Sequence, residues 1–136
     1  MGFRLLKIAA VYLLVGVSMG LYMGITHQFA LHAHINLLGW ASLALAGLIY
    51  VQFPQAAKTR LAQIHFWMHN VSLPVLMVAL AFLLSGNEAF APVVGIASIA
   101  TATGLAIFVI NICVNVPSAK QPVALSRASP TGALAK

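Results

Sequence analysis

The chain has 136 residues, of which 62% are hydrophobic and only 6% are charged. A soluble domain carries roughly a quarter charged residues, so this composition excludes an ordinary globular enzyme and points to the membrane class. Seven Lys/Arg against one acid would suggest nucleic acid on a soluble chain; here the cations sit at the ends of apolar segments, so the basic balance reports membrane orientation and implies no nucleic-acid partner. The single cysteine, Cys113, excludes an internal disulfide and a Cys-rich metal site, and its apolar surroundings read as those of a small buried hydrophobe.

Four apolar runs predict an all-α integral membrane four-helix bundle, residues 1–116, followed by a disordered tail, 117–136, rich in Pro, Ser and Ala. The first helix is expected over about 4–26. It follows Arg4 and Lys7 and ends at Thr26-His27-Gln28, where no small-residue cleavage site is evident, so it reads as a retained span and not a signal peptide. Gly16, Gly20 and Gly24 recur every fourth residue and predict a smooth stripe for close helix packing. The second helix is expected over about 29–51 after a very short connection, which makes the first two helices antiparallel neighbours. A polar turn, 52–60, contains Pro54, Lys58 and Arg60 and leads into a third helix over about 61–84, with a kink expected at Pro74. Ser85-Gly86-Asn87-Glu88 is the next turn, and a fourth helix is expected over about 91–114.

All seven cations fall on one side of this four-span arrangement and Glu88 falls on the other. The positive-inside rule therefore predicts both termini cytoplasmic, as in a multi-pass protein of a bacterial inner membrane.

Histidine inside a bilayer is costly without a partner and is a site hypothesis by default. His27, His32 and His34 lie within eight residues, where one apolar run gives way to the next. With no acid nearby, they point to a metal or a metal-bearing cofactor. On one helix His32 and His34 would point about 200° apart, so each should address a different neighbour. Asn36, one turn after His32, could orient it, and Trp40 could wall a cofactor or pack in the core. His65 and His69 are spaced i, i+4 on one face, which suits a shared metal, but topology puts them toward the cytoplasmic side as a separate, second site.

The run His32-Ala33-His34-Ile35-Asn36-Leu37-Leu38-Gly39-Trp40, then Gly47-Leu48-Ile49-Tyr50, then His65-Phe66-Trp67, resembles part of the catalytic subunit of haem–copper oxidases, especially the C-type branch. In that family the tenth helix carries a His-x-His pair followed by Gly-Trp, its two histidines binding two haems on opposite faces. The resemblance implies haem ligation by His32 and His34. The family subunit has three arcs of four helices; this chain corresponds to one arc, so the resemblance implies a homotrimer that rebuilds the outline. A recognisable copper site and an intramembrane carboxylate for a proton path are missing, so the chain reads as oxidoreductase-like without complete dioxygen reduction.

The leading expectation is a small membrane protein binding b-type haem through His34, with His32 as a second ligand or facing a second pocket and His27 in reserve. Its roles would be electron transfer, with a redox partner protein, or gas binding. Cys-x-x-Cys-His is absent, which excludes covalent c-type attachment. The alternatives are a membrane copper or zinc protein, and a structural or assembly subunit of a respiratory complex whose histidines only hydrogen-bond.

Overall fold

A computed structural model describes residues 1–26 and 29–117, with only the backbone for 23–26. The reserve ligand His27 and the tail 118–136 lie outside the described residues. Each apolar run forms one helix: α1 over Gly2–Thr26, α2 over Phe29–Gln52, α3 over Arg60–Leu84 and α4 over Ala91–Asn115. The bounds differ from those expected by at most two residues. All four are long and apolar enough to cross a membrane, and the described residues contain no strand.

Local chemistry sets the helix ends. Pro54 opens a four-residue helical turn, Pro54–Ala57, where its missing N–H costs nothing. Thr59 then caps α3, its Oγ1 accepting from Ala62 N at 3.1 Å. At the far end of α3 the chain reverses through Gly86 at φ 92°, a left-handed conformation that favours glycine. Asn87 N returns there to Phe82 O at 3.1 Å. Pro74 lies inside α3 without ending it.

Packing is densest within two hairpins, α1 with α2 and α3 with α4. Antiparallel contact in the first is close: a Cβ on Gly2 would come within 2.7 Å of Gly47 O, and one on Gly39 within 2.5 Å of the Tyr12 ring. One apolar core joins Leu5, Ala9, Leu43, Ala46, Tyr50, Ala56 and Ala62 near the basic end. A second joins Leu31, Ile35, Leu73, Leu76, Met77 and Ala97 toward the other end.

The polarity is inverted relative to a water-soluble fold. Leu14, Leu21, Ile96, Ile99 and Val114 stand exposed, while His65, His69, Ser72, Thr101 and Asn111 are buried. An apolar exterior around a hydrogen-bonded interior is what lipid favours, and it is compatible with a multi-pass membrane protein. Two expectations are corrected. Cys113 is exposed, because that face of α4 has no neighbouring helix in the bundle. Trp40 is 40% exposed and does not pack in the core. Gly16 and Gly20 of the glycine stripe do receive a helix closely, and that helix is α2 of the same chain.

Candidate functional site

The four described histidines take three different environments, and α2 generates two of them. His32 and His34 diverge as a two-residue step on a helix requires. His32 turns toward α1, where its Nδ1–H donates to Gly16 O at 3.0 Å. A Cβ on Gly20 would lie 2.9 Å from the His32 Cε1, so the missing side chain makes room for the ring. Asn36 supports the same contact from one turn on: its Nδ2 donates to His32 O at 2.9 Å, and its amide fills the space a Cβ on Gly16 would need. Asn36 thus lies beside His32, as its spacing predicted, and packs with it against α1.

His34 faces outward. Its Nδ1 lies 2.7 Å from Ala30 O. A carbonyl can only accept, so Nδ1 carries a hydrogen, and in the neutral ring Nε2 is the atom with the lone pair. Ala33, Leu37 and Leu38 line a shallow cavity of about 190 Å³ around the ring. His34 is exposed, on a helix face that is otherwise apolar. Trp40 is exposed on the same helix, while His69 and His65 lie inside the bundle.

His69 is fully buried, and its Nε2–H donates across the bundle to Leu38 O of α2 at 3.0 Å. That assignment leaves Nδ1 as the lone-pair atom, and it is buried without a hydrogen-bond partner. His65 sits one turn away, ring centroids 5.6 Å apart, so the pair shares a face as the i, i+4 spacing predicted. Its Nδ1 lies 3.3 Å from Tyr50 Oη. Because Asn111 Nδ2 donates to the Tyr50 oxygen at 3.2 Å, the phenol hydrogen is available for His65.

Asn111 is the residue that sequence reasoning missed. Besides Tyr50, it donates to Ala56 O at 3.0 Å and accepts from Thr59 Oγ1 at 2.8 Å and Asn115 Nδ2 at 2.9 Å. It joins α4 to the 52–60 turn and to α2. The available signal was an asparagine in the last turns of an apolar run. Further along the same interface, Ser72 Oγ and Thr101 Oγ1 lie 2.8 Å apart, tying α3 to α4.

Among the described residues no three His, Cys, Asp or Glu side chains gather as a metal-binding group. His34 does fit a haem iron in its donor chemistry. A neutral imidazole with Nδ1–H on a backbone carbonyl and Nε2 free is the form that ligates metals, the carbonyl fixing tautomer and ring orientation. His32, His65 and His69 each spend a ring nitrogen on another helix. Comparison with protein-family models, with curated proteins and with solved structures finds no match to this chain.

Proposed function

We propose that this chain is a multi-pass protein of a bacterial inner membrane that binds b-type haem at the outer face of α2, with His34 as an axial ligand. The observation that carries the reading is the free Nε2 of His34, held outward on an apolar surface by the bond to Ala30 O. An imidazole facing lipid needs a partner, and a planar, largely apolar macrocycle with an iron supplies both contact and ligation. His34 would hold the iron, and Ala33, Leu37 and Leu38 would lie beside it. Trp40, exposed further along α2, is available to flank the group. A bound haem would supply one-electron transfer or gas binding, according to whether a second residue also held the iron. His32 is engaged by α1, so a second imidazole at that depth comes most simply from a neighbouring copy. A homotrimer, the closed arrangement of arcs implied by the oxidase resemblance, brings such faces together.

The test is the visible spectrum of detergent-purified protein. A Soret band is expected in the native chain, greatly reduced by His34→Ala and nearly unchanged by His65→Ala. A colourless native protein, or a band that survives His34→Ala, refutes the assignment.

A second reading has its own support. Three of the four described histidines bond other helices, as they would in a structural or assembly subunit. A colourless, metal-free and stably folded native protein would favour it, whereas a colourless protein retaining copper or zinc would point to metal handling.

A further inference from the structure

Leu31, Ile35, Gly39 and Leu43 are all buried although they follow one another at intervals of four. On a regular α-helix, at roughly 100° per residue, positions four apart drift by about 40°, and the last of this series would stand about 120° from the first. A π-helical turn at Ile35–Ala41 absorbs that drift. Its hydrogen bonds show how. Ser42 N–H bonds Leu37 O, five residues back, and Ser42 Oγ bonds the same carbonyl at 2.7 Å. The Leu38 carbonyl, which in an α-helix would accept Ser42 N–H, accepts His69 Nε2–H from α3 at 3.0 Å.

A backbone carbonyl without a donor is costly in an apolar interior. The wide turn and the donor from α3 therefore stabilise one another. The neighbouring glycines are fitted to the same register: added Cβ atoms would meet Asn36 at 2.6 Å from Gly16, His32 at 2.9 Å from Gly20 and Tyr12 at 2.5 Å from Gly39. Rotating the start of α2 would take His32 and Asn36 away from the two sites on α1 that receive them.

We infer that His69 is a positioning residue that clamps the π-helical register of α2 and so sets the direction in which His34 leaves the helix. His69 makes no hydrogen bond to His34; it acts through the carbonyl of Leu38, a residue one turn further on that also lines the cavity beside His34. The consequence for haem rests on the reading above, but the register can be measured without haem.

The experiment uses the full chain in bilayers, with Cys113→Ala and a nitroxide label at one position at a time over 29–34. Collision with dissolved oxygen gives the phase of the lipid-facing side, and labels at Leu45 and Leu48, both exposed, give the phase downstream. In the native chain the maxima are expected at Phe29 and Ala30 and again at Ala33 and His34, which are exposed, with a minimum at the buried Leu31. His69→Gln keeps an N–H for the carbonyl and is expected to keep that phase. His69→Leu is expected to move it by one residue relative to Leu45 and Leu48. Adding deletion of Leu37 to His69→Leu should restore it, because the intervals 4-4-4 become 4-3-4, which a plain α-helix keeps on one face.

An unchanged phase in His69→Leu, the same shift in His69→Gln, or no restoration by the deletion overturns the inference. If His69→Leu does not fold, thermal stability decides. Deletion of Leu37 alone strips His69 of its acceptor, so the deletion combined with His69→Leu should denature at the higher temperature; the opposite order overturns the clamp. A phase that shifts as expected in a chain that never binds haem upholds the clamp and removes the haem reading, so the two fail separately.

Discussion

Replacing Asn111 by leucine tests the interior directly, because the two side chains are similar in size and differ in hydrogen bonding. Four bonds are lost: to Ala56 O and Tyr50 Oη as donor, and from Thr59 Oγ1 and Asn115 Nδ2 as acceptor. Thr59 Oγ1 keeps Ala56 O at 3.0 Å as an alternative, and Tyr50 keeps His65 at 3.3 Å. The loss is therefore of bonds, with few groups left bare. At about 0.6–1 kcal/mol per bond, the range spanning membrane bundles and protein interiors generally, the variant should be less stable by roughly 2–4 kcal/mol. Asn115→Ala removes only two bonds, both from a half-buried amide to Asn111, and should cost about 1 kcal/mol or less. Reversible unfolding in mixed micelles measures both. A cost for Asn111→Leu no greater than that for Asn115→Ala would refute the claim that this asparagine ties α4 to the rest of the bundle.

The glycines offer a paired test in the same assay. Gly16→Ala drives a Cβ to 2.6 Å from Asn36 and should cost about 1–3 kcal/mol by overpacking. Gly95→Ala meets nothing within 4 Å and should be neutral or stabilising by up to about 1 kcal/mol, since alanine is the better helix former; equal effects would contradict the packing described. Reporter fusions after residue 57 should read cytoplasmic and fusions near Glu88 periplasmic, and a periplasmic signal at Lys58 would reverse the proposed orientation. Native mass spectrometry from detergent should find three copies with haem, whereas a monomer retaining a full complement of six-coordinate haem would exclude ligation between copies.

The four helices were legible because each apolar run is bounded by residues with a clear local role, such as Thr59 and Pro54 before α3 and Gly86 after it. The divergence of His32 and His34, and the shared face of His65 and His69, follow from helical spacing alone. Partners were harder to read, since they depend on which helices meet. Nothing in the sequence near Gly16 and Gly20 says that the stripe receives His32 and Asn36 of the same chain. Nothing beside Asn111 names Tyr50, and the exposure of Trp40 and Cys113 depends on which faces the hairpins leave uncovered. The π-helical turn did leave a trace, the repeated interval of four from Leu31 to Leu43. That trace becomes meaningful only once all four positions are known to be buried.

The division into two hairpins bears on how the chain is made. Emerging first, α1 and α2 can settle His32 on the Gly16 carbonyl with no help from later residues. Tyr50 and the Leu38 carbonyl must wait, since His65, His69 and Asn111 are all synthesised afterwards. In the membrane setting proposed above, lipid would provide no hydrophobic force to join the two hairpins, and their union would depend on this handful of polar bonds and on close packing. A half-made molecule therefore leaves two polar groups of α2 without their later partners, Leu38 O partway along the helix and Tyr50 Oη near its end, and docking of the second hairpin satisfies both.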